Sequence, residues 1–336
     1  MRGVFVMLNR VPDYYTDFRC LAQDCPHTCC TGWEVVIDEE TAEQYQRLDG
    51  LLGEKLRASM KKDVDGDFCF PLNGGRCPFL DAENLCEIHR QLGEEATSVT
   101  CQEHPRFIEE YGSFREITLS ASCPAANALL LGSEEPLTFL EFETEEAEEE
   151  GDEWLPYLLV LRDRVLKLLT NRRYSIETRL HSILELAREA QTLLDEEWVE
   201  DLPELAEQWT ICETEERLGA ELFPQGLSFL QTLEQLESDW ETLLIAAKSV
   251  EESDVPEPLL ERIAAYFMFR YLLKTVNDGD FLSRVEWCVV AVLIVRRLAG
   301  VCGLSEALRR FSREVEHNEE NVDALLEALR LHQLSV

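Results

Sequence analysis

Basic residues are scarce in this chain: 31 Lys and Arg stand against 67 Asp and Glu over 336 residues, a formal net charge of -36. No basic stretch is available to track phosphates or to hold an anionic bilayer, so neither a nucleic-acid partner nor a membrane partner is expected. Long apolar runs are missing as well. The longest, Trp287 to Val295, is roughly half of a membrane span and is closed by Glu286 and Arg296. The first residues offer only Val4 to Leu8 before Asn9 and Arg10, too short for a secretory core, so a cytoplasmic location is expected. No glycine-rich turn follows a strand and opens a helix, which leaves out P-loop, dinucleotide-fingerprint and nucleophile-elbow chemistry.

Cysteine, by contrast, is plentiful and unevenly placed. Nine of the 12 cysteines fall in the first 123 residues: Cys20, Cys25, Cys29, Cys30, Cys69, Cys77, Cys86, Cys101 and Cys123. Only Cys212, Cys288 and Cys302 occupy the rest. In a reducing compartment clustered thiols point to metal ligation before disulfides. The run Cys20-x4-Cys25-x3-Cys29-Cys30, followed by Cys77, Cys86 and Cys101, can bring thiolates together with little loop-closure cost. Cys69 lies outside this pattern and reads as core. Adjacent Cys29 and Cys30 do not easily point at one tetrahedral ion, and only His27, His89 and His104 lie nearby. All-thiolate ligation therefore favours a 4Fe-4S iron-sulfur cluster, with structural zinc left open.

Composition shifts behind this block. There is no Lys or Arg between Arg115 and Arg162, and Glu134 to Glu153 carries 11 acidic residues. That stretch reads as a solvated connector, or as a charged surface loop with no role of its own. The expected division is a cysteine-rich metal-binding module over 1–133, an acidic connector over 134–153 and a helical domain over 154–336. In the first part, Trp33 to Ile37 reads as a strand and Asp38 as the cap of a helix running to Lys62. Phe68 to Leu72 and Cys77 to Leu80 read as a hairpin about Asn73-Gly74-Gly75. A helix covers Cys101, a strand covers Phe114 to Leu119, and a helix opens at Pro124. The rest has helical periodicity over Leu155–Leu169, Ile176–Trp198, Gly226–Ala247, Pro258–Val276, Phe281–Leu298, Leu304–Val315 and Asn321–Leu331. The fold class is mostly α (α+β), a small cysteine-rich module followed by a multi-helix domain.

Outside the cysteines, Arg270 sits within the apolar helix Ile263 to Val276, where an arginine needs a carboxylate partner or a bound anion. Asp278 and Asp280 flank Gly279 at a helix junction, and their plain reading is a turn plus an N-cap for the helix from Phe281. His317 reads as a surface histidine.

A set of motifs runs through the chain: Tyr14-x3-Phe18-x-Cys20, Cys25-x3-Cys29-Cys30-x-Gly32-Trp33, Cys77-Pro78-Phe79-Leu80-Asp81-x4-Cys86, Thr100-Cys101-x3-Pro105-Arg106 and Leu119-Ser120-x2-Cys123-Pro124. Later come Ala265-Tyr266-Phe267-x-Phe269-Arg270-Tyr271, Asp278-Gly279-Asp280 and Arg313-Glu314-x-Glu316-His317. In these residues the chain resembles the flagellin lysine-N-methylase (FliB) family. The first block alone also resembles a wider group of zinc- or iron-chelating modules. The resemblance implies transfer of methyl groups from S-adenosylmethionine to lysines of flagellin. It implies that the cysteine block holds metal; within that block the expected ligands are Cys25, Cys29, Cys30 and Cys101 first, then Cys20, Cys77, Cys86 and Cys123. An arginine inside an apolar helix beside two paired carboxylates, in a stretch that also carries the resemblance, makes Asp278, Asp280 and Tyr271 the candidate catalytic residues and Arg270 the candidate cofactor contact, with Arg106 and Glu316 next. Ala125 and Ala128 stand where the family pattern has a Glu and an Arg, which removes charge from that site. A second reading from a different class is a non-catalytic iron-sulfur or zinc module whose helical half binds a partner protein.

Overall fold

The computed structural model describes residues 5–63, 66–146, 151–211, 218, 222–250 and 253–334. Its strands are β1 Phe5–Pro12, β2 Val35–Ile37, β3 Lys61–Lys62, β4 Phe68–Phe70, β5 Arg106–Tyr111, β6 Phe114–Leu119 and β7 Phe139–Glu146. The first helices are α1 Glu39–Arg47, α2 Gly50–Ser59, α3 Glu87–Leu92, α4 Val99–Glu103 and α5 Pro124–Leu131. They are followed by α6 Leu155–Leu169, α7 Ile176–Asp195, α8 Leu202–Gln208, α9 Leu222–Leu230, α10 Trp240–Lys248, α11 Glu257–Tyr271, α12 Phe281–Cys302, α13 Leu304–Phe311 and α14 Glu319–Arg330. The class is α+β with a helical majority, as expected from periodicity.

The chain divides into two compact units, and the division is not the linear one expected. A cysteine unit comprises 18–107 and 123–126, and a helical unit comprises 1–17, 108–122 and 127–336. The acidic stretch is no free connector over its described part. Residues 139–146 form β7, paired antiparallel with β1 from Phe5↔Glu146 to Pro12↔Phe139. Alternation explains the strand: Leu140, Phe142 and Thr144 lie on one face and Glu141, Glu143 and Glu145 on the other. Residues 147–150, and Cys212 with them, lie outside the described residues.

In the cysteine unit, Asp38 caps α1 as expected, its carboxylate accepting from the Thr41 amide at 2.9 Å. The single helix expected to Lys62 breaks into α1 and α2. Leu48 is extended, Gly50 takes the left-handed φ of +86°, and the Arg57 guanidinium secures the Leu48 carbonyl at 2.6 Å. The expected hairpin is also different. The turn about Gly74 and Gly75 is present, with both at positive φ, but β4 pairs with β2 and β3 rather than with Cys77 to Leu80. A small apolar core of Val35, Ile37, Tyr45, Leu56, Phe70, Phe79 and Ile88 also takes in Cys77.

In the helical unit the sheet order is β5-β6-β1-β7, with β1 parallel to β6. Helix α12 is apolar nearly all round and buried along most of its length, packing on α7, α11 and α13. No helix among the described residues is long and apolar enough to cross a membrane. The helix expected over Gly226–Ala247 is interrupted between α9 and α10 for a tertiary reason. Glu314 accepts from the amides of Leu236 and Glu237 at 2.8 and 2.7 Å, and Asn321 holds both the amide and the carbonyl of Glu234. Buried arginines have carboxylates waiting: Arg162 with Glu116 at 2.5 Å and Arg179 with Glu261 at 2.6 Å.

Candidate functional site

All eight cysteines proposed as ligands, Cys20, Cys25, Cys29, Cys30, Cys77, Cys86, Cys101 and Cys123, fall in the cysteine unit, although Cys123 is separated from the rest of it in sequence. Backbone pairing brings their segments side by side. The Cys77 amide donates to the Cys30 carbonyl at 2.8 Å, Thr31 bridges Arg76, and Leu80 bridges Cys86. Cys101 is carried by α4 and Cys86 caps the start of α3. Cys69 is buried beside Glu34, which fits its reading as a core residue.

The thiols sense one another. Cys30 acts electrostatically on Cys25, Cys29, Cys77, Cys86 and Cys101, while Cys20 and Cys25 act on Cys123. Burial pushes Cys77 up to about 12 and Cys101 up to about 11, and it raises Cys25, Cys86 and Cys123 as well. Cys30 goes the other way, to about 7, because its thiolate accepts from the Cys29 thiol and from Thr28 and faces Arg76. That same hydrogen bond raises Cys29. A set of partly desolvated, mutually repelling thiolates needs a cation to exist together, and a soft metal supplies one. Among the described residues no three or more His, Cys, Asp or Glu form a ready coordination shell. The donor set thus fits by chemistry and neighbourhood rather than by a closed geometry.

A second polar cluster is built in the helical unit around Glu316. Residues Ser312–Glu316 form a π-helical turn after α13, and Glu316 is buried at its end. Arg270 on α11 meets its carboxylate, Nε to Oε1 at 3.0 Å. Tyr266, one turn earlier, donates to both oxygens at 3.2 and 3.1 Å, and Tyr271 donates to Oε1 at 3.2 Å. The Arg270 guanidinium lies 5.0 Å from the Tyr271 ring centroid, and Tyr271 packs on Trp287 of α12 at 4.1 Å. Burial raises Glu316 against the opposing pull of Arg270. Burial alone would weaken the Arg270 charge, but Tyr271 and Glu316 hold it protonated. The carboxylate that this buried arginine requires is therefore Glu316.

The neighbouring residue His317 is not a free surface histidine. Its Nε2 lies 2.7 Å from Ser120 Oγ and 2.8 Å from Ser122 Oγ. Tyr14 is buried, with a hydroxyl that has no hydrogen-bond partner among the described residues and a pKa raised by that burial. Sequence patterns alone assign no chemical role to Tyr266, Tyr14, Ser120 or Ser122. The spacing of Tyr266 four residues before Arg270 is the one signal that places it on the same helix face.

The remaining candidates sit elsewhere. Asp280 caps α12, accepting from the Ser283 amide at 3.0 Å, and pairs with Arg330 at 2.6 Å. Asp278 pairs with Arg284 at 2.6 Å. Both have the turn-and-cap role that their spacing around Gly279 allows. Arg106 belongs to the cysteine unit, where its guanidinium reaches the carbonyls of Gln102 and Glu103 and lies 5.7 Å from the Phe18 ring.

Comparison with known proteins finds likenesses over part of the chain. Residues 19–123 match the CxxCxxCC family, described as "Putative zinc- or iron-chelating domain". The chain is 28% identical over 136 residues to a protein named lysine-N-methylase from Salmonella choleraesuis (strain SC-B67), covering 39% of this chain and 34% of that one. The lysine-N-methylase of Salmonella typhimurium (strain LT2) matches with the same identity and coverage. The flagellar biosynthetic protein FliU of Salmonella muenchen is 29% identical over 126 residues, 36% of this chain and 75% of FliU. The matched stretch thus spans about one third of the two lysine-N-methylases. No solved structure gives a significant match.

Proposed function

We propose that this chain is FliB-like, a cytoplasmic, S-adenosylmethionine-dependent protein lysine N-methyltransferase acting on flagellin; the cysteine-module match and the lysine-N-methylase relatives support this reading. In this reading the eight cysteines hold an iron-sulfur cluster, with zinc as the alternative occupant. The observation that carries the activity is the likeness to proteins named lysine-N-methylase; the FliU name supports a flagellar substrate.

S-adenosylmethionine supplies an electrophilic sulfonium methyl group when bound. The cluster around Glu316 suits such a ligand through one observation: the buried Tyr14 hydroxyl, its pKa raised chiefly by burial and in small part by the Glu316 charge, has no hydrogen-bond partner among the described residues. Arg270 is the group to hold a carboxylate, sharing its charge between ligand and Glu316. A lysine with an ordinary pKa near 10.4 must arrive neutral to attack. Desolvation pushes it that way, and Glu316, raised by burial and hydrogen-bonded to two tyrosines, is the acceptor for its proton. Tyr271 aims that carboxylate. Asp278 and Asp280 act as positioning residues: they fix the start of α12, which carries Trp287 against Tyr271.

One observation favours the non-catalytic alternative. Arg270, Tyr266 and Tyr271 already satisfy Glu316, as a purely structural cluster would. Mass spectrometry of flagellin co-expressed with and without the protein separates the two readings. Stepwise one-methyl mass increments on lysines support the enzyme, and unchanged flagellin together with no saturable S-adenosylmethionine binding in calorimetry supports the alternative.

A further inference from the structure

The sheet of the helical unit ends at β7, and among the described residues no strand pairs with its outer side. The register on β1 sorts the side chains. Thr144, Phe142 and Leu140 share a face with Met7, Asn9 and Val11, which are buried. At the margin of that face Leu140 and Phe142 remain 44% and 43% exposed. The other face carries Glu141, Glu143 and Glu145, of which Glu141 pairs with Arg10 at 2.7 Å. Glu143 and Glu145 are exposed and have no basic partner among the described residues.

An open edge offers a row of unpaired backbone donors and acceptors, and a charged row is the usual guard against pairing with a second copy. Two copies joined here would set glutamates against glutamates on one face. A partner of opposite charge would turn the same row into an attraction. We propose that β7 is a docking edge for an extended segment of a partner protein with basic residues at alternate positions and apolar residues between them. Strand addition would lay the basic side chains beside Glu141, Glu143 and Glu145 and the apolar ones beside Leu140 and Phe142. The alternation is what distinguishes this partner from any cation attracted by an acidic surface. The proposal does not depend on methyl transfer, and failure of either leaves the other standing.

The test uses the full chain and a fluorescein-labelled, end-capped peptide of four Lys-Val repeats, read by anisotropy. Expected is saturable binding at least about tenfold tighter than that of a peptide with the same eight residues ordered as a lysine block and a valine block. A Lys-Val peptide N-methylated at every amide keeps its charge but can donate to the sheet through neither edge, and should lose at least as much. The variant Glu143→Lys/Glu145→Lys should weaken the alternating peptide by a similar factor with an unchanged melting temperature. Equal binding of all three peptides, no binding of any, or indifference to the double variant would overturn the proposal.

Discussion

The two units solve the problem of stability by different means. The cysteine unit is made of strands of two or three residues and helices of five to ten, around a small core centred on Tyr45, Phe70 and Phe79. The helical unit is organised on the 22-residue α12, buried along most of its length, and its buried arginines meet internal carboxylates. Elements as short as those of the cysteine unit do not persist on propensity alone. Apolar burial holds the helical unit, whereas the cysteine unit needs cross-links, and its thiols are the groups able to provide them through a metal.

That contrast can be broken most forcefully at the thiols. Cys29→Ala or Cys30→Ala should unfold the cysteine unit, a loss of several kcal/mol (roughly, since metal binding is folding free energy). Cys288→Ala, at a buried thiol of α12, should cost only about 1 kcal/mol. Thermal melts of the three variants, followed with tyrosine and tryptophan fluorescence, check this; equal losses would erase the distinction. Next in size is the helical unit's own device. Glu116→Gln leaves Arg162 buried beside a neutral partner and should cost about 3 kcal/mol without altering metal content, measured by urea unfolding and elemental analysis.

Arg270→Ala and Asp280→Asn sharpen the comparison within the helical unit. Arg270→Ala strips Glu316 of its cation and should abolish methylation with metal content intact. Asp280→Asn keeps a capping oxygen, and should cost under about 1 kcal/mol and only part of the activity. If the two variants are equally inactive, Asp280 touches the reaction directly. The smallest effect concerns pH. Burial raises the Glu286 carboxyl to about 7. Its contribution is fully present below the ordinary glutamate range, about 4.3, and is lost as the pH rises through about 7. Glu286→Gln should therefore be more stable than the parent at pH 8, by on the order of 1 kcal/mol, and close to it at pH 4. A parent–variant difference in melting temperature that is the same at pH 4 and pH 8 would contradict this.

Much of the helical unit was legible because its helices follow the 3.6-residue period: α6 runs over Leu155–Leu169 as its apolar spacing requires. Local chemistry was legible too, as with Asp38 and α1. The four-stranded sheet was less so. β1 and β7 lie more than a hundred residues apart, and the glutamates that mark an outward face in β7 read equally well as a solvated run. The break between α9 and α10 depends on Glu314 and Asn321 reaching back from distant sequence, which no local pattern encodes. At the site, an arginine in an apolar helix announces a partner, but only the ion pair formed in the fold identifies it as Glu316.

The central claim is that metal ligation by the clustered cysteines holds the cysteine unit together. Its most direct test is quantification of iron, acid-labile sulfide and zinc in the full chain purified without air. Iron and sulfide together in stoichiometric amounts are the predicted result. Zinc without iron would replace the cluster while keeping the site, and a well-folded protein with neither metal would contradict the account.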